Sequence, residues 1–321
     1  MVYVSELFRQ KPIKGRSVLK RANLIITRAG KNALYRNWLT GADRNFDLLV
    51  VAYNPEGLDD PVEDVAYDYE PTSKVAGWRG TFKRMPELLD QYDYIAMIDD
   101  DIDTDAAVLN FCFDEGRKLD LLIWQPALSW NSYATFAGLL QNPLFAIRYV
   151  NGIEMMCPFF QSAYLKRLLP LFAIDCEVGI DLVWCSLTEA PARRFAVLDK
   201  VKVRHTRRIG TQMAQNGFAN KTYEDDIETC LKAFSMRWPS LVSDQAVLTS
   251  GRPVTQQIWI ALSAFVMLGA PFFAPKGQRL KHIRIVLIHL KHQFLRAPYY
   301  GNAAEISARL VKLTGSDSLA I

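Results

Sequence analysis

Continuous apolar runs alternate with stretches of helical periodicity along the first part of the chain. NLIITRAG (23–30), FDLLVVAYN (46–54), YDYIAMIDDDI (92–102), LDLLIWQPAL (119–128) and FAVLDKVKVRHT (195–206) read as strands, and KVAGWRGTFKRMPELLDQ (74–91) as helix. VEDVAYDYE (62–70) is shorter and more polar, which suits a strand nearer an edge. That order predicts an α/β fold, a mostly parallel Rossmann-like sheet flanked by helices, with ligands outside the carboxyl ends of the strands. The pattern is mixed from about 129 to 205 and mostly helical after about 220, without repeats, low-complexity tracts or a Gly/Ser linker. The simplest partition is a catalytic domain over 1–215 and a helical C-terminal region over 216–321.

In the C-terminal region, IWIALSAFVMLGAPFFA (258–274) has no charge over 17 residues, the short end of what crosses a bilayer, and Pro271 and Pro275 break its end. The following stretch, 276–296, has six Lys/Arg, no acid and three of the four histidines, with Leu280, Ile283, Leu287, Leu290 and Phe294 at helical spacing. A basic amphipathic helix of this kind docks on a crevice of the main domain or, as the second expectation, on an anionic membrane surface.

Composition adds limits rather than direction. At 321 residues, 50% hydrophobic and 22% charged, the chain is globular, and a net charge of +4 is too mild to imply nucleic acid as a partner. Five cysteines, none spaced as C-x-x-C, read as reduced thiols. The N-terminal stretch lacks a signal peptide's apolar run, so the expected location is cytoplasmic, peripheral at the inner face of the cell membrane. Aromatic residues make up 12% of the chain and serve cores and sugar-stacking clefts alike: Trp38, Phe46 and Trp184 read as core, Trp78, Trp130 and Tyr133 as near a cleft.

The strongest chemical signal is Asp99-Asp100-Asp101, directly after the apolar run Tyr94 to Met97. Three consecutive carboxylates at the end of a buried strand raise one another's pKa unless a cation neutralises them, and all-oxygen ligands favour Mg²⁺ or Mn²⁺. On a continuous strand Asp99 and Asp101 would share one face and Asp100 the other. A calcium loop fails, because Thr104 and Asn110 stand where Gly and Glu are required. A haloacid-dehalogenase-type phosphatase pattern fits weakly, since Asp103 or Asp105 takes its last position. The D-x-D arrangement, in which a metal on the outer two carboxylates grips a nucleotide sugar's diphosphate, fits better; a simply solvated acidic strand end is the plain alternative.

YDYIAMIDDDI, LIWQPAL, NPLFAIRYVNGIEMMCPFF, VGIDLVW and VLDKVKVRHTRRIG, in that order over residues 20 to 212, resemble an uncharacterised domain family shared by plants and bacteria and similar to GT-A fold glycosyltransferases. Where that family carries Gly-Trp-Gly this chain has Glu177-Val178-Gly179, and where its plant members have Asp-Glu-Asp it has Asp99-Asp100-Asp101. The resemblance implies a GT-A-like, metal-dependent and inverting hexosyl transfer from a nucleotide-sugar donor to a saccharide or lipid-linked acceptor, in envelope polysaccharide or glycolipid synthesis. It implies His205 as the third ligand beside Asp99 and Asp101, and Asp181 as the base with Glu177 in reserve. Donor contacts are expected from Thr27, Arg28, Lys31, Asn32, Lys74, Trp78, Arg79 and Asp100, and acceptor contacts from Gln125, Trp130, Asn151 and Glu154. Bland readings stand beside these: a strand-end histidine, Asp181 as an N-cap, a solvated basic helix face, and Trp130 and Asn151 as core and cap. A non-catalytic saccharide-binding scaffold and a metal-dependent phosphohydrolase are the alternative functions.

Overall fold

The computed structural model describes residues 21–174, 176–208 and 222–315; the N-terminal stretch and the boundary expected near 215 lie outside the described residues. The strands are β1 (Asn23–Ala29), β2 (Phe46–Ala52), β3 (Ala66–Tyr69), β4 (Tyr94–Asp99), β5 (Ile102–Asp103), β6 (Ile123–Leu128), β7 (Phe145–Val150), β8 (Phe159–Gln161), β9 (Phe195–His205), β10 (Ser243–Leu248) and β11 (Pro253–Val254). They join in the order β11-β10-β7-β9-β6-β8-β4-β1-β2-β3, with β5 paired to β9. The flanking helices are α1 (Lys74–Arg84), α2 (Leu88–Gln91), α3 (Ala106–Lys118), α4 (Ser162–Leu168), α5 (Tyr223–Ala233), α6 (Gln257–Ser263), α7 (Ala270–Phe273), α8 (Arg279–Leu295) and α9 (Ala303–Thr314).

The α/β class read from the sequence is the one observed. β3-β2-β1-β4 run parallel, and every residue of β1 and β2 is buried, which is why those segments are apolar without alternation. The half-buried β3 takes the edge, as its polar sequence suggests. β6 and β9 are also parallel, but β8 enters antiparallel between β4 and β6, and β7 and β10 extend the far side antiparallel. The mixed sequence pattern of 129–205 therefore corresponds to a mixed sheet. The helix expected over 74–91 divides into α1 and α2 around Pro86, which has no N–H to continue the ladder. The C-terminal residues are mostly helical and also supply β10 and β11.

The core is aromatic-rich. Trp124 stacks on Phe159, Trp184 meets Phe160 edge-on, and Trp38 donates its indole N–H to the Ile102 carbonyl at 2.7 Å. Below the sheet ends, Arg148 of β7 and Asp199 of β9 form a buried bidentate pair at 2.6 and 2.9 Å.

Candidate functional site

The acidic run sits where a parallel strand stops. β4 ends at Asp99, the chain turns through Asp100 and Asp101, and β5 then pairs antiparallel with β9, setting Ile102 opposite His205. The turn ends the alternation expected of a continuous strand, so Asp99 and Asp101 do not simply share a face. Instead the three carboxylates meet three different cations. The Lys74 ammonium lies 2.6 and 2.8 Å from the two Asp99 oxygens and also donates to the Met155 carbonyl at 2.8 Å. Asp100 accepts from the Gly30 N–H at 2.9 Å and from Arg207 at 2.7 Å. Asp101 faces His205 Nε2 at 3.1 Å, while His205 Nδ1 donates to the Tyr133 carbonyl at 2.7 Å. With a carbonyl on one nitrogen and a carboxylate on the other, both nitrogens act as donors, the arrangement of an imidazolium. Burial opposes that charge, but Asp101 outweighs it and raises His205 to about 9. Burial likewise acts to raise Asp101, and the hydrogen bond and charge of His205 hold it below its ordinary value. Burial wins at Asp99, which is pushed up to about 6 despite Lys74.

Two more carboxylates join this cluster. Asp181 follows Gly179, whose φ of +95° turns the chain in a way an L side chain rarely adopts; its Oδ2 accepts from the Met155 N–H at 3.3 Å. Burial raises Asp181 to about 6, with the Met155 hydrogen bond opposing. Glu154 is raised to about 7 by burial and then by the Asp181 charge, and its Oε2 is buried without a partner. Lys74 acts electrostatically on Asp99, Asp101, Glu154 and Asp181. The result is an acidic cluster organised around one lysine at the carboxyl end of the sheet, where α/β folds place their ligands.

Asp99, Asp101 and His205, the residues expected to hold a divalent ion, lie within electrostatic range of one another, and each is engaged by a group of the chain. Among the described residues no group of three or more His, Cys, Asp or Glu side chains is gathered as one. Asp99 is engaged by Lys74 and Asp101 by His205, and the one buried orphan oxygen between them, Asp101 Oδ1, is a single ligand. The counter-charge that buried carboxylates require is thus supplied by the chain itself.

Other expected residues serve elsewhere. Glu177 accepts from the Ser73 hydroxyl at 2.5 Å and from the N–H groups of Val75 and Ala76 at 2.9 and 3.3 Å, capping the start of α1 from a distance and fixing Lys74 beside the cluster. Trp78 is buried against Phe172, with the Lys74 ammonium 5.1 Å from its ring centroid, so it packs beneath the cluster. Arg28 is buried and donates to the carbonyls of Glu70 and Thr72; its Nε and Nη1 have no partner, and burial lowers it to about 10. Thr27 is buried beside it on β1. Lys31, Asn32 and Arg79 are exposed, and the Asn32 carbonyl accepts from Arg207 at 2.7 Å. Buried Gln125 accepts from the Glu154 N–H at 3.1 Å and so supports the cluster indirectly. Asn151 ties Val242 to the Tyr299 carbonyl, and Trp130 packs on Phe273 with its N–H on the Gln141 carbonyl, so both hold the C-terminal region. Arg207 and the backbone of Gly30 and Met155 are participants that the sequence reading missed. Arg207, in a basic pair just after the late strand, carried a usable signal; the backbone groups carried none.

No family model and no curated protein matches the chain. Among solved structures it is similar to Staphylococcus aureus TarS 1–349 in complex with UDP-GlcNAc, at 10% identity over 86% of this chain and 74% of that one, with a TM-score of 0.43. TarS 1–349 in complex with UDP gives 9% identity over 92% of each chain and a TM-score of 0.40. A 4-diphosphocytidyl-2C-methyl-D-erythritol synthase from Anaerococcus prevotii gives 14% identity over 63% of this chain and 97% of that one, with a TM-score of 0.38.

Proposed function

We propose that the chain is a nucleotide-sugar-dependent glycosyltransferase, and the observation that carries this is the convergence of Asp181 and Glu154 with Lys74 at the carboxyl end of the sheet. In this reading the acceptor hydroxyl oxygen attacks the anomeric carbon, its proton passes to Asp181, and the bond from that carbon to the diphosphate breaks to release the nucleoside diphosphate. A carboxylate raised to about 6 is poised to take a proton near neutral pH, and a single base of this kind fits inversion. Lys74, whose side chain is 20% exposed, is placed to face the charge developing on the leaving phosphate. Glu154, protonated over much of the neutral range, is suited to donate a hydrogen bond to a sugar hydroxyl. The protein cations on the three aspartates support charge compensation by the chain.

The test is donor binding and nucleotide release across UDP- and GDP-sugars, with EDTA and with added Mn²⁺. UDP-GlcNAc and UDP are the first probes. Binding that survives EDTA and falls at least tenfold in Lys74→Met is the expected result. Loss of binding in EDTA with recovery in Mn²⁺ would return the charge work to a metal on Asp99, Asp101 and His205, and no binding of any donor would overturn the function.

A further inference from the structure

The helix α8 is inside out. The row it buries against the protein is His282, Val286, His289, Leu290 and Gln293, in which His282 Nε2 meets the Ser132 carbonyl at 3.1 Å and Gln293 bonds both the N–H and the carbonyl of Ser243. The apolar row Leu280, Ile283, Leu287 and Phe294 faces away, with Leu280 82% and Leu287 53% exposed. Those positions recur at three, four and seven residues and so line one stripe. The crevice docking expected from the sequence is thus not made by the apolar stripe, of which only Leu290 is buried. Segment 257–273 packs along α8, bringing Phe265 to 5.7 Å from Phe294, and adds Trp259, Phe272 and Phe273 at 58%, 73% and 61% exposure. An apolar face of this extent, gathered on one pair of neighbouring segments, marks an interaction site.

Charge identifies the occupant. From 245 to 304 the chain has no Asp or Glu and seven Lys/Arg. Arg284 and Lys291, both exposed, alternate with Ile288 and Leu295 in the row beside the apolar stripe, and Arg279 lies over the Phe272 ring at 5.0 Å. A second copy meeting the same face would set like charge against like. Anionic headgroups complement it, with the apolar side chains reaching the acyl boundary. Among the described residues no helix is long and apolar enough to cross a membrane.

We infer that α6 to α8 form a monotopic docking surface for an anionic lipid bilayer. The surface adjoins the acidic cluster: Lys281 of α8 lies within electrostatic range of Glu154, and Trp130, just after β6, packs on Phe273. Docking therefore holds the cluster close to the headgroup plane, where, on the transferase reading, a lipid-linked acceptor would present its hydroxyl.

Vesicle flotation of the full chain, without nucleotide, tests the surface independently of any activity. The expected result is partition into phosphatidylglycerol/phosphatidylcholine vesicles and much weaker partition into phosphatidylcholine alone. Arg284→Ser with Lys291→Ser should lower the partition coefficient about thirtyfold, from roughly fivefold per basic residue near an anionic surface. Leu280→Ser with Leu287→Ser should lower it at equal net charge, and thermal unfolding checks that both variants fold. Absence of binding to the anionic vesicles, or binding that neither pair of substitutions weakens, overturns the inference. So does a dimer in sedimentation velocity that the leucine variant dissociates while the parent ignores vesicles. Donor binding measured on the same samples separates failure here from failure of the transferase reading.

Discussion

The buried pair Arg148–Asp199 gives a sharp test of what holds the sheet under the site. Asp199 is fully buried; it receives Arg148 at 2.6 and 2.9 Å and the Asn142 N–H at 2.8 Å, while Arg148 also donates to the carbonyls of Gly138 and Leu140 at 2.7 Å each. Asp199→Ala strands a buried guanidinium without its counter-ion, which costs about 3 to 5 kcal/mol, and leaves one buried N–H unpaired for about 1 kcal/mol more. Taken together, a loss of about 5 kcal/mol is a large fraction of a typical total stability. With an unfolding entropy of roughly 2 cal/mol/K per residue, it lowers Tm by about 8 °C. Urea unfolding followed by circular dichroism measures it, and the double variant Arg148→Met with Asp199→Leu should recover more than half, because the penalty belongs to the unpaired charge. A loss under 1 kcal/mol in Asp199→Ala would refute the reasoning, and so would a double variant as damaged as the single one.

Three further predictions follow from the same physics. His289 is buried and held neutral, lowered to about 3 by burial and then by Arg148, so acidification protonates the unfolded chain first. The stability this His contributes is complete above its unfolded value of about 6.5 and declines as pH falls towards about 3, by about 2 kcal/mol at pH 5, read as the difference between the parent and His289→Gln in urea titrations. Gly179→Ala places a Cβ at φ +95° and 3.1 Å from the Ile227 backbone; it should cost about 1 to 2 kcal/mol and, by shifting Asp181, lower kcat more than donor affinity. Glu177→Gln retains one acceptor at the start of α1, so it should cost about 1 kcal/mol at most and leave the pH profile of turnover in place, whereas a base at this position would lose turnover altogether.

The sheet was legible in the chain wherever both faces of a strand are covered, because β1, β2 and β4 are then mostly apolar and lack a polar-apolar alternation. The short β8 and the polar β10 gave no such signal, since three residues of FFQ or a half-polar SDQAVL look like loop until their partner strands are known. At the site, Asp99, Asp101, Lys74, Glu154, Asp181 and His205 were all visible as chemistry-bearing residues, and the structure brings them together. Their pairing was not visible. That acids need a cation follows from sequence alone, but that Lys74, Arg207 and His205 supply it depends on where α1 and the end of β9 come to lie. Trp78 and Glu177 show the converse: an aromatic and an acid near a site are drawn into packing and capping by neighbours distant in sequence.

Asp181 carries the central claim, and Asp181→Asn tests it most directly, by equilibrium donor binding and nucleotide-release rate on one preparation with UDP-GlcNAc and the donor panel. The account predicts donor binding within about threefold of the parent and turnover lower by a hundredfold or more, in the range a general base contributes. Turnover within tenfold of the parent, with binding unchanged, would contradict it.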